Sequence, residues 1–207
     1  MCFSATASFT ASAVLGLVGV ATIIKTKKNK KAWPLAIIPI IFALQQFIEG
    51  LIWLSIQYQP NYTLFLTHLF LFFALLFWPV YIPIAALILE PHKIRRIIMA
   101  IFCLGGIVVG VLFYIGFLRQ PESAQVINLC LFYPNHISLP TLFNYLYILV
   151  TIGSGAVSSR PIIKLFTLLV LISSLITWIV YNINFISVWC FFAATISAVL
   201  YFYPQKQ

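Results

Sequence analysis

The stretch WPLAIIPIIFALQQFIEGLIWL, residues 33–54, decides the fold class of this chain. It contains a single charged residue, Glu49, and as a helix it is long enough to cross a hydrocarbon core of roughly 30 Å. The rest of the chain has the same character, because 63% of its 207 residues are hydrophobic and 7% are charged. Soluble domains carry about 25% charged residues, so we predict an integral membrane protein.

Similar apolar stretches on both sides predict one all-α domain, a bundle of seven transmembrane helices. Charges, prolines or polar turns of the kind that end helices separate the stretches. Backbone groups inside lipid must be satisfied within the element, and the runs are too long for barrel strands, which favours helices. The predicted spans cover about residues 3–24, 33–56, 62–89, 96–117, 140–157, 161–181 and 185–203.

The positions of the basic residues predict how the bundle is oriented. If the amino terminus lies outside, all but one of the 12 lysines and arginines face the cytoplasm, and only Arg119 faces out. Such a bias is the usual topology signal of membrane proteins. We therefore expect the amino terminus outside and the carboxyl terminus in the cytoplasm. The net charge of +9 then reflects orientation in a lipid bilayer and does not indicate nucleic-acid binding.

The second span carries the strongest functional signal. Gln45, Gln46, Glu49 and Trp53 follow one another at three- and four-residue spacing, so they share one helix face. Glu49 lies roughly 12 Å from the outer end of the span, at 1.5 Å per residue. An ionisable group at that depth is costly and is a functional-site candidate by default. The alternative is a structural hydrogen-bonding group that joins helices.

Other rare polar and reactive residues are predicted at the same outer depth or in the outer loop. They converge from separate helices, which predicts a polar pocket in the outer third of the membrane, centred on Glu49. We expect this pocket to open to the outer face and to admit a small-molecule ligand. The additional candidates are Cys2, Ser4, His68, His136, Trp189 and Cys190. A disulfide among Cys2, Cys130 and Cys190 is an open alternative.

Three function classes fit this pattern. Small-molecule or proton-linked transport is the first, with Glu49 as the group that binds the ligand or proton. The second is a membrane-embedded enzyme with Cys2 as an amino-terminal nucleophile. In another version of it, Glu49, His68 or His136, and Cys2 or Cys190 hold a metal. No diagnostic metal spacing is present, so metal and cofactor stay open, and a sensor or partner subunit is the third class.

Small residues and prolines predict how the helices pack. Gly106 and Gly110 in the fourth span lie four residues apart, which lets a neighbouring backbone approach closely. Pro79 and Pro83 in the third span predict a kink. At the cytoplasmic turn, Glu90 is expected to form an ion pair with the basic residues that follow it.

Several motifs are similar to those of a known family. The opening Met-Cys-Phe-Ser-Ala, the segment from Ile38 to Trp53, Trp78-Pro79, and Ser187-Val188-Trp189-Cys190 together resemble an uncharacterised family of small bacterial multi-span membrane proteins. The resemblance implies a bacterial inner-membrane location and supplies no activity. It places family motifs on Cys2, Ser4, Gln46, Glu49, Trp53, Trp78, Trp189 and Cys190, relates His136 to an outer-loop histidine, and leaves His68 outside the motifs.

Overall fold

The computed structural model describes residues 4–134 and 141–203, and it contains seven helical runs. We label them α1 (Ala5–Thr26), α2 (Lys30–Tyr58), α3 (Pro60–Leu89), α4 (Lys93–Arg119), α5 (Thr141–Val157), α6 (Pro161–Val180) and α7 (Asn182–Phe202). Within the described ranges, all of these except α5 are long and apolar enough to cross a membrane, which makes six. The helical membrane-protein class is therefore confirmed.

The predicted seventh crossing is not confirmed. The α5 helix has 17 residues, which is about 26 Å at 1.5 Å per residue. Its predicted start, residue 140, lies outside the described residues. Seven crossings therefore stay a prediction, as does the orientation of the termini.

The helices begin and end close to the predicted positions, and the differences have local causes. The α4 helix begins at Lys93, three residues before its predicted start, because a long basic side chain can extend from the first turn to water. In α2, two short turns precede the main helix Ile38–Tyr58. The break falls at Ile37 because Pro39 occupies the first turn of that helix, where its missing N–H is tolerated.

The bundle has two distinguishable ends. The α1–α2, α3–α4 and α5–α6 turns lie at one end, which we call the basic end because Lys25–Lys31, Lys93 and Arg160 lie there. The carboxyl-terminal end of α7 is also there, since Lys25 Nζ donates to the Tyr201 carbonyl at 2.8 Å. The opposite end carries a β-hairpin, and we call it the hairpin end.

The hairpin lies in the segment between α4 and α5 and was not predicted from the sequence. Strands β1 (Gln125–Ile127) and β2 (Cys130–Phe132) pair antiparallel, with Ile127 opposite Cys130. The turn residues Asn128 and Leu129 both have positive φ, at 53° and 60°. A two-residue turn of this hand matches the twist of the strands.

Side chains from the helices hold the hairpin on the bundle. Asn184, at the start of α7, donates its side-chain amide to the carbonyls of Ile127, Cys130 and Leu131, at 3.2–3.4 Å. The N–H of Ala124 donates to Thr67 Oγ1 of α3 at 3.0 Å. A lone hairpin is marginal in water, so these contacts with helices explain why two strands of three residues form here.

The α3 helix is irregular in its middle, and its neighbours compensate for this. Residues Phe72–Phe77 form a π-helical segment, in which the Trp78 N–H bonds to the Phe73 carbonyl five residues back. The next carbonyl, that of Ala74, has no donor in this pattern because Pro79 lacks an N–H. The hydroxyl of Tyr147 in α5 supplies one.

Two glycines of α4 lie against the carbonyls that the α3 prolines affect. Pro79 and Pro83 leave the carbonyls of Leu75 and Pro79 without their usual α-helical donors. A methyl group added at Gly106 would overlap the Pro79 carbonyl oxygen, and one at Gly110 would lie 3.1 Å from the Leu75 oxygen. The predicted close approach at the glycines is confirmed, and its partner is the proline-rich backbone of α3.

The α1 helix packs along α2 through its small residues. Ser12 Oγ donates to the Ala43 carbonyl at 2.8 Å. A Cβ at Gly19 would meet the side chain and backbone of Ile40, and one at Gly50 would meet the ring of Phe9. Small residues on both helices therefore set the distance between α1 and α2.

At the basic end, Glu90 joins the α3–α4 turn to the α5–α6 turn. Its carboxylate accepts hydrogen bonds from the backbone N–H groups of Ser159, at 2.7 Å, and His92, at 3.2 Å. Arg95, one of the basic residues that follow, acts on this carboxylate through its charge, while the direct hydrogen bonds come from backbone N–H groups. Glu90 lies in a turn between two helices, where backbone N–H groups have no acceptor within a helix. These N–H groups are closer to the Glu90 carboxylate than the ends of the long basic side chains.

The Gly106 contact predicts a packing defect on substitution. Gly106→Ala places a methyl group on backbone that cannot move aside, and should destabilise the protein by about 1–3 kcal/mol. Gly16→Ala is the matched control, because a Cβ there meets nothing within 4 Å. It should be neutral or stabilising by up to about 1 kcal/mol. Thermal unfolding in detergent measures both, and equal midpoints would contradict the packing assignment.

The Glu90 contacts predict a pH-dependent contribution to stability. Burial disfavours the charged carboxylate, but the N–H donors of Ser159 and His92 and the nearby Arg95 outweigh it and lower the pKa of Glu90. A lowered pKa in the folded state means that the stabilisation is present above the unfolded pKa of about 4.3 and is lost as pH falls through the folded value.

Glu90→Gln should therefore lower the free energy of unfolding by about 1–2 kcal/mol at pH 7, because hydrogen bonds to a charged acceptor are lost. The difference from wild type should begin to shrink below the unfolded pKa of about 4.3 and should disappear as pH falls through the lowered pKa of folded Glu90. Unfolding measured in detergent between pH 3 and pH 7 tests this. Glu122→Gln, in the segment before the hairpin, controls for the loss of one negative charge, and a pH-independent difference at Glu90 would rule out the assignment.

Candidate functional site

The predicted polar face of α2 points into the bundle. Gln45, Gln46 and Glu49 are all fully buried, with no exposed surface. One carboxyl oxygen of Glu49 accepts a hydrogen bond from Ser187 Oγ of α7 at 2.6 Å. The only acid of the predicted spans therefore joins α2 to α7 deep inside the protein.

One helical turn towards the basic end, Gln45 continues this polar line. Its side-chain oxygen accepts from Trp78 Nε1 of α3 at 2.6 Å. The indole of Trp78 stacks on Phe42, with ring centroids 3.9 Å apart. Because Trp78 follows directly after the π-helical segment, the irregular turn of α3 sets the position of an indole that binds the polar face.

Several polar atoms of this cluster have no hydrogen-bond partner among the described residues. They are Glu49 Oε2, both side-chain polar atoms of Gln46, Gln45 Nε2, Trp53 Nε1 and Ser8 Oγ. The Gln46 side chain lies within hydrogen-bonding reach of the Glu49 carboxyl group, although neither of its polar atoms forms a well-aligned hydrogen bond with a described residue. Each unsatisfied buried group costs about 1–3 kcal/mol. Buried polar groups of this kind call for a partner, which an ordered water, an ion or a polar ligand would each supply.

A cavity of about 40 Å³ lies beside the cluster, on its basic-end side. Phe42 and Trp78 line it together with Tyr147 and Thr151 of α5, Phe166 and Thr167 of α6, and Trp189 and Cys190 of α7. Glu49 is not among the residues that line it. Trp78 binds Gln45, and Cys190 lies one turn from Ser187. An opening of the site to the outer face remains a prediction.

The predicted site residues on α2 and α7 come together. Trp189 and Cys190 are buried and line the cavity, one turn from the hydrogen bond between Ser187 and Glu49. Trp53 lies one turn from Glu49 in the opposite direction and packs in the core at the hairpin end. The contact between α2 and α7 therefore brings the second-span face and the seventh-span motif into one region.

Two other predicted residues have local roles. His68 Nδ1 pairs with the Leu64 carbonyl at 2.8 Å, and the His68 ring lies against Phe117 of α4. Ser4 is exposed and caps α1, accepting from the Ala7 N–H at 3.2 Å. In the described part of the structure, His68 and Ser4 contact residues other than Glu49. Cys2 and His136 lie outside the described residues, so their place in the site stays a prediction.

A metal centre has no support from the described residues. Within residues 4–134 and 141–203, no group of three His, Cys, Asp or Glu side chains lies close enough to hold an ion. The version of the metal hypothesis that uses Cys2 or His136 falls outside this range.

Sequence reasoning missed the direct partner of Glu49. Ser187 carries no signal of its own in the sequence, because serine is common in membrane helices and packs there without special function. Tyr147 was also missed. The position of Tyr147 opposite Pro79 depends on how α5 packs on α3, which the sequence does not show.

Comparison with protein-family models matches one family over residues 1–207, described as a family of unknown function, DUF6629. The chain belongs to DUF6629. The expected membership of an uncharacterised family is thereby confirmed, and the match supplies no activity. No curated protein and no solved structure matches the chain. The function of this DUF6629 member must therefore be argued from the site.

Proposed function

We propose that this chain is a transporter or permeation protein for protons or small molecules, with Glu49 as the binding group. The observation that supports this proposal is the hydrogen bonding of the two Glu49 carboxyl oxygens. One oxygen is held by Ser187, while the other is buried with no hydrogen-bond partner in the described part of the protein. The group is therefore fixed in position and keeps one oxygen for a proton or a ligand.

The surroundings of Glu49 support exchange rather than a purely structural role. A structural carboxyl group inside lipid is expected to have all its hydrogen-bonding capacity used. Here the adjacent Gln46 amide forms no well-aligned hydrogen bond with a described residue, and the cavity's lining residue on α2, Phe42, lies about two turns away. A proton or a ligand that binds Oε2 removes the cost of leaving this buried oxygen without a hydrogen-bond partner, and its release restores that cost. We therefore expect Glu49 to reach both the occupied and the empty state.

The proposal includes the orientation and the membrane. We place the chain in a bacterial inner membrane with its amino terminus outside, because all basic residues except Arg119 then face the cytoplasm. A fluorescent protein that folds only in the cytoplasm, fused to the carboxyl terminus, should be fluorescent. A periplasm-dependent phosphatase at the same position should be inactive. The opposite pair of results would reverse the topology.

Proton movement tests the role of Glu49. Purified protein in liposomes carrying a potassium diffusion potential should acidify the lumen faster than empty liposomes, as read by a trapped pH-sensitive dye. Glu49→Gln keeps the size of the side chain and removes the exchangeable proton, so the flux should fall to the level of empty liposomes. Ser187→Ala should change the rate without abolishing it, because the carboxyl group remains.

Glu122→Gln is the matched control, since Glu122 lies outside the helices, and it should leave the flux unchanged. Labelling with dicyclohexylcarbodiimide, which attacks protonated carboxyl groups in apolar surroundings, gives an independent readout. Mass spectrometry should locate the adduct on Glu49 and not on Glu90 or Glu122. A Glu49→Gln protein with the wild-type flux, or a wild-type flux equal to that of empty liposomes, would disprove the proposal.

A further inference from the structure

We infer that the cavity between α2, α3, α5, α6 and α7 binds a small, neutral, apolar molecule. Glu49 does not line this cavity, so the inference goes beyond the proposed function and is independent of it. Three properties of the cavity support it, namely its uncharged and mainly apolar lining, the hydrogen bonds that hold its largest side chains in place, and its size.

The lining is uncharged and mainly apolar. No charged side chain lines the cavity in the described part of the chain. The lining residues that have no polar side-chain atom are Phe42, Ile82, Ile152, Phe166, Val170 and Ala193. Because a charged ligand would lose its hydration here and gain no counter-ion, the lining favours a neutral ligand.

Three large side chains of the lining are held in place by hydrogen bonds to neighbouring helices. Trp78 Nε1 donates to an amide oxygen of α2, and Trp189 Nε1 donates to a carbonyl of α6. The Tyr147 hydroxyl donates to a carbonyl of α3. None of these rings can turn into the cavity without losing its hydrogen bond, so the space cannot easily collapse. The pocket is therefore formed before a ligand arrives, which lowers the cost of binding.

The other polar groups of the lining offer little to a hydrogen-bonding ligand. Thr151 Oγ1 donates to the carbonyl four residues back in its own helix, at 2.7 Å. Thr167 Oγ1 lies against α5, where a Cβ added at Gly155 would overlap it. The thiol of Cys190 is a weak hydrogen-bonding group, and such side chains behave as small hydrophobes. A buried water needs about two to four polar partners, so this lining suits an apolar occupant better than water.

The size of the cavity limits the ligand. A cavity of about 40 Å³ accommodates about three water-sized groups. Bromoethane, which is neutral and apolar and has three non-hydrogen atoms, matches this size and serves as the probe. Hydrocarbon dissolves such molecules better than water does, so the surrounding bilayer would concentrate them.

Quenching of tryptophan fluorescence tests the inference. Bromine quenches an indole that it contacts, and Trp78 and Trp189 both line the cavity. Titration of the purified protein in detergent with bromoethane should therefore show a saturable loss of fluorescence. Bromoethane dissolved in the micelle should add a loss that rises steadily with concentration, mainly through the half-exposed Trp33 and Trp178.

Ethanol is the matched polar probe, because it has the same number of non-hydrogen atoms and no charge. It should displace half of the bound bromoethane only at a concentration at least about 10-fold above the one at which bromoethane half-saturates the site. The reason is that its hydroxyl group would be buried without a suitable partner. This comparison needs no variant and so does not depend on variant folding.

Two variants locate the binding site. Ala193→Leu fills the cavity with a larger apolar side chain and should abolish the saturable quenching while the steady part remains. Ala21→Leu is the matched control, because Ala21 is exposed on α1, and it should leave both parts unchanged. Glu49→Gln should also leave the saturable part unchanged, since Glu49 does not line the cavity.

Quenching without a saturable part, equally strong binding of ethanol, or saturable quenching that survives in the Ala193→Leu protein would overturn the inference. Proton flux that depends on Glu49, without saturable quenching, would overturn it and leave the proposed function standing. Saturable quenching that Ala193→Leu abolishes, in a protein without Glu49-dependent flux, would support the inference and count against the proposed function alone.

Discussion

Hydrocarbon offers no hydrogen bonds, and the architecture of this bundle follows from that constraint. Every polar group inside the spans must find a partner within the protein. Hydroxyl groups satisfy this locally, as when Thr22 and Thr177 donate to carbonyls four residues back in their own helices. The irregular turn of α3 requires help from other helices, which comes from the Tyr147 hydroxyl and from the close approach of Gly106.

Against this background the face formed by Gln45, Gln46 and Glu49 is exceptional. It combines full burial with several unsatisfied polar atoms, while most buried hydroxyls nearby are paired. A sequence under selection for stability alone would replace such a face by leucine or alanine, which suit a lipid-embedded core better. The cluster lies next to a π-helical segment, and π segments are often found at functional sites. The hydrogen bond between Gln45 and Trp78 joins the polar face of α2 to the end of this π-helical segment.

The sequence was sufficient to predict an all-α bundle with membrane-length helices and to single out Glu49 as a site candidate. Apolar run length identifies spans because the bilayer thickness fixes the length required, and scarcity of acids makes Glu49 conspicuous. The hydrogen-bond partners of Glu49 and of the irregular α3 backbone could not be predicted in the same way. Ser187 and Tyr147 are ordinary residues for a membrane helix, and their roles depend on which helices become neighbours.

The hairpin was missed for a related reason. Strands of three residues carry almost no periodic signal, and Gln125–Ile127 alternates too briefly to be distinguished from a loop. Its stability comes from Asn184 and Thr67, which are remote in sequence. At Glu90 the backbone donors of Ser159 and His92 were not predicted, because they depend on how two turns meet, and spacing along the chain does not show that.

The attachment of the hairpin has a mechanical consequence. Asn184, which holds three of its carbonyls, precedes Ser187 by less than one turn of the same helix. A displacement of the hairpin would therefore shift Asn184 and, with it, the first turn of α7 that carries Ser187. The hairpin and the Ser187 hydroxyl that binds the buried carboxyl group are attached to the same end of one helix.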